Sequence, residues 1–500
     1  MGRARIRPTN DRIVIVLAIS LGLVGILWTR CLYLQVVGAG RYTAIAQTQH
    51  RVTQPLRSQR GTMYDRNERP LAVSVPMPSV FANARQVTGK QAMAKQLSGL
   101  VDRDAMMIQR RLEKDKGFVW IARHVDPTAR PTLLALRRDG IAVMEEPKRV
   151  YPSGELASHL LGFVDIDQRG LEGLELAFNG VLQGQDGWRS TLRDARGHAL
   201  VGPWTSQAKP VDGYDVVLTL DSVVQAVAED ALAWGVEKYH AKGGSIIVMD
   251  PATGAVLAMA VRPSFDPNEA GRSSADRRRN RAVTDLFEPG SIFKVVTAAA
   301  LLQEGRVTPE ETFFCENGAW PTVAGHILHD HHGHGTLTFH EVISLSSNIG
   351  TAKAAQRLTP EELYRYIRAF GFGRKTGIDV PGEINGMVPP TKQWWKVSMY
   401  NIPIGQGVAV TPIQLAVMTA AIANGGKRVQ PYVIDRVQTG RGRVVRTTQV
   451  PAPEQIISEE TAKTVQEMLV AVVESGTGQR ARVQGLTVAG KTGTAQKLEP

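Results

Sequence analysis

An uncharged apolar run, "IVIVLAISLGLVGILW", occupies residues 13–28 and is closed by Thr29 and Arg30. It is slightly shorter than the roughly 20 residues of a membrane-spanning helix, but "CLYLQVV" extends the apolar stretch beyond Arg30. Four arginines precede the run, which predicts a cytoplasmic N-terminus. The small-x-small sequences that follow lie too far downstream for signal-peptide cleavage. We therefore predict a cytoplasmic tail at residues 1–12, a transmembrane anchor at 13–30, and everything later outside the cytoplasm.

Residues 31–214 alternate short apolar runs with turns rich in glycine, proline and charged residues. Helical spacing is visible at residues 90–100 and near 103–112, and no long repeat is evident. This part of the chain is predicted to form one mixed α/β domain.

The pattern changes at residue 214. "YDVVLTLD" is typical of a strand, and "SVVQAVAEDALAWGVEKY" has the spacing of an amphipathic helix with Ser222 as its N-cap. "GGSIIVMDPATGAVLAMAV" is typical of a hairpin that turns at residues 250–254. Several helices and a late strand follow. The pattern predicts an α+β domain at residues 215–500, with helices on both faces of a mainly antiparallel sheet.

Within this domain, "FEPGSIFKVVTAAALLQEG" predicts a buried helix, since apolar residues cover most of its circumference. Pro289 and Gly290 end the preceding segment, so Ser291 lies at the helix start, and Lys294 follows one turn later on the same face. A buried amine has a lowered pKa and can take the hydroxyl proton, which a serine nucleophile requires. A capping serine with a surface lysine is the alternative, because Ser-x-x-Lys occurs roughly once by chance in a chain of this length.

A second polar group lies in "GTLTFHEVISLSSNIGTAKAAQRLTPEEL". Thr338 and Glu341 have the spacing of a capping box, and apolar spacing resumes at Ile349. Ser346 and Asn348 are therefore predicted to lie between two helices, where their side chains can project into a cleft. A helix cap or a kink is the alternative role for such a turn.

The last stretch, "GLTVAGKTGTAQKLEP", fits two patterns. Residues 485–492 match a phosphate-binding loop, whereas residues 491–493 form a Lys-Thr-Gly motif. A phosphate loop follows a buried strand and opens a helix, but the residues before 485 are polar and turn-like, and ATP is absent outside the cytoplasm. We therefore predict an extended strand at residues 486–495. A second Lys-Thr-Gly, at residues 375–377, precedes a loop with proline and glycine and is predicted to be structural.

Composition and charge narrow the choice of partners. The 43% hydrophobic content and the length fit two to four domains with buried cores, and two cysteines are too few and too distant for a disulfide framework. The net charge of +12 does not indicate nucleic acid in a chain that lies outside the cytoplasm. The arginine run at residues 277–281 predicts a basic surface that suits an anionic polymer.

Histidines crowd the segment "HILHDHHGHGTLTFH". Together with Asp330 they could bind a metal ion, which is one interpretation of such a cluster. A solvated loop beside the cleft is the interpretation that we favour, so no metal and no other cofactor is predicted.

The three motifs resemble those of the class B penicillin-binding proteins, which are peptidoglycan transpeptidases. They occur in the order of that family, as Ser291-x-x-Lys294, Ser346-x-Asn348 and Lys491-Thr492-Gly493. Flanking sequences are similar too, among them "NRAVTDLFEPGS", "IGQGVAVTPIQLA" and "GTGQRARVQGLTVAGKTGTAQ". "RGTMYDRNERPLA" and "RVYPSGELASHLLGFVDIDQRGLEGLE" resemble the pedestal, or dimerisation, domain of the family. The resemblance thus covers nearly the whole chain after the anchor.

The resemblance implies a serine-type D-Ala-D-Ala transpeptidase with a serine β-lactamase-like fold. Ser291 would attack a stem peptide with Lys294 as the base, and Ser346 would pass the proton to the leaving amine. The backbone amides of Ser291 and Thr494 would stabilise the oxyanion, and β-lactams would acylate Ser291. Substrate contacts are implied for Asn348, Lys491, Thr492, Gly493 and Thr494.

The single anchor, the Ser-Ser-Asn form and the modest pedestal favour a division-type enzyme of septal cell-wall synthesis. An elongation-type transpeptidase, a β-lactamase or antibiotic sensor, and an inactive scaffold of the division machinery are the alternatives. No glycosyltransferase domain fits before residue 214, so a membrane glycosyltransferase and other division proteins are expected partners. The family continues beyond the third motif, and we therefore expect the chain that ends at Pro500 to be an unstable or inactive fragment.

Overall fold

The computed structural model describes residues 9–42, 51–114, 116–193, 199–200, 206–323 and 325–494. The chain divides into two compact units. The first contains residues 1–58 and 185–211, and the second contains residues 59–184 and 212–500.

The first unit begins with the predicted membrane helix, which spans Thr9–Leu32 and continues as a π-helical turn at Tyr33–Val37. Within the described ranges, residues 11–37 are the one segment long and apolar enough to cross a membrane, and no part of the segment is buried. The helix continues through Arg30, because arginine is a good helix former and its guanidinium packs over the ring of Tyr33. The protein is therefore a single-pass membrane protein.

A small antiparallel sheet completes the first unit. Its central strand, Gly187–Arg193, pairs with Arg51–Leu56 and also with the short strands Ala199–Leu200 and Ser206–Ala208. This sheet supplies part of the strand content predicted for residues 31–214.

A seven-stranded sheet forms one part of the second unit. Its strands, in order, are Val444–Thr447, Ile434–Gln438, Asp215–Leu218, Met63–Tyr64, Pro70–Ala82 and Val119–Ala122, with Ile141–Val150 also paired to Pro70–Ala82. Helices Lys90–Val101 and Ala105–Leu112 share a core with this sheet, which confirms both predicted helical segments. Met63–Tyr64 runs parallel to Asp215–Leu218, so the sheet continues across the predicted domain boundary at residue 214.

The predicted hairpin consists of the antiparallel strands Gly244–Met249 and Val256–Arg262. Helix Ser222–Lys238 packs on one face through Leu232 against Ala258 and Ala260. Helix Pro412–Ala423 lies against the other face, where Met259 and Val261 share a core with Ile413. Helices on both faces of an antiparallel element were predicted, and the α+β character is confirmed.

The cap of helix Ser222–Lys238 differs from the prediction. Asp221 is the N-cap, and its carboxylate accepts a hydrogen bond from the N–H of Val223 at 3.0 Å. The hydroxyl of Ser222 instead donates to the carboxylate of Asp65 at 2.6 Å. A carboxylate one residue earlier reaches the free N–H groups of the first turn and also suits the positive end of the helix dipole.

Helix Lys294–Gln303 runs through the centre of the largest core, and its residues from Lys294 to Leu301 are all buried. Packed around it are the helices Phe339–Ser344, Asn348–Ala355, Pro360–Ala369 and Glu459–Glu474. Short strand pairs join Thr312–Phe314 to Thr336–Thr338, Ala319–Pro321 to Ile327–His329, and Lys427–Arg428 to Glu454–Gln455. The remaining short α-helices are Arg130–Ala135, Ser158–Leu161, Gly173–Ala177, Asn179–Leu182, Ala275–Arg278, Arg281–Thr284 and Ser398–Asn401.

Candidate active site

Ser291 lies in a single 3-10 turn, Gly290–Phe293, that leads directly into helix Lys294–Gln303. The N–H of Gly290 donates to the carbonyl of Gly405 at 3.1 Å, and both glycines have a positive φ. A Cβ atom at Gly405 would overlap the carbonyl of Gly290. This close approach of the two backbones fixes the position of the turn that leads into the helix. Ser291 lies at the start of the helix, as predicted.

Lys294 is fully buried, and its amine points at the Ser346 turn. The Nζ atom of Lys294 donates to the carbonyl oxygen of Ser346 at 2.6 Å and lies 3.3 Å from the Oγ atom of the same residue. Burial lowers the pKa of Lys294 well below its usual 10.5, the nearby charge of Lys491 lowers it further, and the charge of Asp330 opposes both. The neutral amine, which can accept a proton, is favoured as a result.

Ser346 occupies the turn between helices Phe339–Ser344 and Asn348–Ala355, where it was predicted. Its φ is +62°, a left-handed conformation that residues other than glycine rarely adopt. Its Oγ atom accepts a hydrogen bond from the Nζ atom of Lys491 at 2.9 Å. One hydroxyl group therefore contacts two amines that come from the first and the third sequence motif.

Asn348 begins the helix that follows this turn. Its Nδ2 atom donates to the carbonyl of His329 at 2.7 Å, and its backbone N–H donates to the carboxylate of Asp330. Asp330 also accepts from the N–H of Ile349 at 3.0 Å and from the hydroxyl of Ser347 at 2.6 Å. The sequence pattern suggested Asp330 only as a metal ligand, since its contact with the Ser-Ser-Asn turn arises from tertiary folding.

Residues 486–494, which include Lys491, Thr492, Gly493 and Thr494, form no strand, and Ala495 lies outside the described residues. The strand prediction for this segment is therefore wrong. Its backbone bonds run from Leu486 N–H to the carbonyl of Val483 and from Gly490 N–H to the carbonyl of Leu469, which are a turn and a helix. A strand needs a ladder of hydrogen bonds to a neighbouring strand, and the described residues supply none here.

The four residues of the third motif differ in their surroundings. Burial lowers the pKa of Lys491 to about 8. The hydroxyl of Thr492 is 2.6 Å from that of Thr477, so it is already hydrogen-bonded. A Cβ at Gly493 would lie 2.6 Å from Ile292 Cγ1, so this glycine allows the segment to pass beside the Ser291 turn. Thr494 is exposed.

The predicted solvated loop is correct only in part. His331, His332 and His334 lie in a loop beside the site, whereas His329 ends strand Ile327–His329 and His340 lies in helix Phe339–Ser344. In the part of the chain that the structure describes, no group of three or more His, Cys, Asp or Glu side chains is placed to hold a metal ion. The segment contacts the site through His329 and Asp330, which both accept hydrogen bonds from Asn348.

Three arginines of the run at residues 277–281 are paired with carboxylates. Arg278 pairs with Glu172 at 3.0 Å. Arg279 and Arg281 both pair with Asp285, at 2.8 and 3.2 Å. Arg277 and Arg279 are nevertheless exposed, so the predicted basic surface is partly neutralised, and its binding of an anionic polymer stays a prediction.

The second Lys-Thr-Gly motif lies in an exposed loop, with no strand at residues 375–377. The N–H and the hydroxyl of Thr376 both donate to Glu383 at 2.6 Å, and Gly377 has a φ of +84°. Glu383 thus closes the loop on itself, which agrees with the structural role predicted for this copy.

Comparison with known proteins identifies the family. Residues 55–218 match the penicillin-binding protein dimerisation domain, and residues 244–500 match the penicillin binding protein transpeptidase domain. The chain therefore belongs to the penicillin-binding proteins, and its two matched domains and its relatives are those of class B.

Three relatives illustrate the extent of the similarity. Stage V sporulation protein D of Bacillus subtilis is 36% identical over 98% of this chain and 77% of its own length. The probable peptidoglycan D,D-transpeptidase PenA of Neisseria gonorrhoeae is 34% identical over 98% of this chain and 83% of its own. The crystal structure of penicillin-binding protein 3 from Mycobacterium tuberculosis with aztreonam is 32% identical, with a TM-score of 0.69, over 89% of this chain and 84% of that one.

Proposed function

We propose that this protein is a peptidoglycan D,D-transpeptidase that crosslinks stem peptides through an acyl-enzyme on Ser291 during septal cell-wall synthesis. The observation that carries the proposal is the buried amine of Lys294, one helical turn from Ser291 and in contact with Ser346. The name of the Neisseria gonorrhoeae relative, a probable peptidoglycan D,D-transpeptidase, supports the substrate class.

In the first half-reaction, the hydroxyl of Ser291 attacks the carbonyl carbon between the two terminal D-alanines. The neutral amine of Lys294 takes the hydroxyl proton as the new C–O bond forms. The C–N bond then breaks, and Ser346, whose Oγ lies 3.3 Å from Lys294 Nζ, passes a proton to the leaving D-alanine. The backbone N–H groups of Ser291 and Thr494 stabilise the oxyanion.

In the second half-reaction, an amine of another stem peptide attacks the ester carbonyl, and Ser291 leaves with the proton that the amine loses. The new peptide bond is the crosslink. The reaction uses only side chains and backbone amides, so the proposal includes no cofactor and no metal.

Substrate binding is assigned to the residues around the turn and the third motif. The charge of Lys491 attracts the terminal carboxylate, and Thr492 and Thr494 offer hydroxyl groups to it. Thr492 would exchange its bond to Thr477 for the carboxylate. Asn348 binds the stem-peptide backbone, and Gly493 leaves room for the substrate to approach.

β-Lactams are the proposed inhibitors. Their strained amide would be opened by Ser291 in the same way, with the acyl group retained on the serine. The solved complex of the Mycobacterium tuberculosis protein with aztreonam supports this assignment.

We infer that residues 1–12 are cytoplasmic, that the anchor includes residues 13–30, and that the pedestal (31–214) and transpeptidase (215–500) domains lie outside. A reporter enzyme that is active only outside the cytoplasm tests this orientation. It should be active when fused after residue 60 and inactive when it is attached ahead of residue 1 of the complete chain. The opposite result contradicts the orientation.

Fluorescent penicillin tests the reaction and separates the alternatives. A stable adduct that is lost in Ser291→Ala supports the transpeptidase. Rapid release of the label would favour a β-lactamase, and no adduct in folded protein would favour an inactive scaffold. The control Ser398→Ala removes a hydroxyl that bonds to the N–H of Trp395 and should leave labelling unchanged.

Depletion of the protein in its host tests the septal role. Filamentous cells support division, and rounded cells would favour the elongation-type alternative. Copurification with a membrane glycosyltransferase and other division proteins, and not with nucleic acid, is the result expected for its partners.

A further inference from the structure

We propose that Asp330 is a positioning residue for acyl transfer, which holds the turn of Ser346, Ser347 and Asn348 so that the Ser346 hydroxyl stays between Lys294 and Lys491. The inference rests on the proposed function at Ser291. Asp330 itself contacts neither catalytic lysine. Besides its charge, which raises the pKa of Lys294, it acts through the backbone and side chains of the turn.

The contacts of Asp330 converge on one short segment. One carboxylate oxygen accepts from the N–H groups of Asn348 and Ile349, the latter at 3.0 Å. The other accepts from the hydroxyl of Ser347 at 2.6 Å. Ser347 is 1% exposed, so without Asp330 its hydroxyl would lose its shortest hydrogen bond in a buried setting.

These contacts complete the N-terminus of helix Asn348–Ala355. The Oγ atom of Ser347 accepts from the N–H of Gly350 at 2.9 Å, while Asp330 takes the two N–H groups before it. The first three N–H groups of the helix are thus satisfied, and the carboxylate lies at the positive end of the helix dipole. The start of the helix is therefore fixed by a residue from the neighbouring hairpin.

Ser346 depends on that fixed start, because it precedes the helix in a left-handed conformation with a φ of +62°. Such a conformation costs roughly 1–2 kcal/mol in a residue other than glycine and persists only where neighbouring contacts hold it. The N–H of Ser347 bonds to the carbonyl of Val342 at 2.9 Å on one side, and Asp330 holds the other side. Loss of Asp330 releases the strained residue that carries the relay hydroxyl.

The same hairpin also orients Asn348. Its Nδ2 donates to the carbonyl of His329 at 2.7 Å, directly before Asp330 in the chain. Two adjacent residues at the end of strand Ile327–His329 therefore hold both the backbone and the side chain of Asn348.

The test measures acylation of the full chain in detergent by a fluorescent penicillin, over a range of concentrations that gives the maximal rate and the half-saturating concentration. The variants are Asp330→Ala, Asp330→Asn and Asp221→Ala, and each rate is referred to the folded fraction obtained from thermal unfolding. Asp221 is the matched control, because its carboxylate also caps a helix of the second unit.

We expect Asp330→Ala to lower the maximal acylation rate about 100-fold, as displacement of a catalytic group commonly does, with a smaller change in the half-saturating concentration. Asp330→Asn retains an oxygen acceptor for the two helix N–H groups, so it should be clearly faster than Asp330→Ala. Asp221→Ala should lower the melting temperature and leave the acylation rate of the folded protein unchanged.

A wild-type rate per folded molecule in Asp330→Ala overturns the inference, and so does an effect confined to the half-saturating concentration. If Asp330→Ala does not fold, Asp330→Asn and Ser347→Ala decide, since each removes one contact of the carboxylate and should acylate several-fold more slowly. Wild-type rates in both overturn the inference. If the wild-type protein is not acylated, the proposed function fails. If the wild-type protein is acylated and Asp330→Ala is acylated at the same rate, only the role of Asp330 is contradicted.

Discussion

The Nζ atom of Lys491 lies 2.9 Å from the Oγ atom of Ser346, and the Nζ atom of Lys294 lies 3.3 Å from the same oxygen. Two amines at such distances from one hydroxyl cannot both be charged without mutual repulsion in a buried site. Burial is the main cause of the lowered pKa of both lysines, and the charge of Lys491 lowers the pKa of Lys294 further. The site is therefore expected to respond to pH and to small changes in the turn that carries Ser346.

The first prediction concerns alkaline pH. Because burial lowers the pKa of Lys491 to about 8, acylation by an anionic penicillin should slow as the pH rises through about 8, where the amine loses the charge that binds the carboxylate. In Lys491→Arg the guanidinium stays charged, so the alkaline decrease should disappear, whatever the absolute rate. Labelling for a fixed time between pH 6 and pH 10, with about one measurement per half pH unit around that pKa, gives the pH dependence of acylation for both proteins. An identical decrease in the two proteins would contradict the role of Lys491.

The second prediction separates the hydroxyl of Ser346 from its backbone. Ser346→Ala and Ser346→Gly both remove the hydroxyl, and both should lower the acylation rate by roughly 100-fold or more, as expected for loss of a proton-transfer group. Glycine adopts a positive φ without strain, so the glycine variant should be about 1 kcal/mol more stable than the alanine variant. Urea unfolding of the two variants measures this difference. Equal stability would show that the turn carries no strain.

The third prediction concerns the contact between Gly405 and Gly290. Gly405→Ala should displace the Ser291 turn, because the new Cβ would overlap the Gly290 carbonyl and the φ of +84° disfavours alanine. Acylation should slow at least tenfold, and the melting temperature should fall. Gly271→Ala is the control, since a Cβ there meets no atom within 4 Å. Normal acylation in Gly405→Ala would mean that the turn tolerates the displacement.

The fourth prediction concerns a buried charge cluster in the second unit. The carboxylate of Glu175, which is fully buried, accepts hydrogen bonds from the Nε atoms of Arg60 and Arg149, both at 2.6 Å. Glu175→Gln leaves two buried guanidinium groups without a counter-charge, so the free energy of unfolding should fall by about 3–5 kcal/mol.

A surface pair provides the control for this change. Glu145 lies 3.2 Å from Arg130, with both side chains about half exposed, so Glu145→Gln should cost less than about 1 kcal/mol. Chemical unfolding followed by circular dichroism compares the two variants. Similar losses in both would contradict a dominant contribution from the buried cluster.

The local sequence was sufficient to predict those elements whose structure depends on residues close by in the chain. The membrane helix, the two pedestal helices, the hairpin and the start of the Ser291 helix were all predicted from apolar spacing and capping residues. The capping box at Thr338 also lies where the pattern indicated. Such elements are set by interactions within a few residues, which a single sequence displays.

Other features depended on partners far along the chain. Residues 486–494 have the composition of a strand but form none, since a strand also needs a paired neighbour. The arginine run also pairs with the carboxylates of Glu172 and Asp285, and the sequence pattern gave no sign of either partner.

The sequence by itself determined the family motifs and their order, and with them the residues that the site should contain. Only the tertiary structure decided that the amines of Lys294 and Lys491 both lie within hydrogen-bonding distance of the Ser346 hydroxyl. It also decided that Asp330 holds the turn that carries Ser346. The reason is physical. The proposed reaction requires certain residue types, and the sequence shows these directly. The distances, the burial and the resulting pKa values come from segments that meet only when the chain is packed.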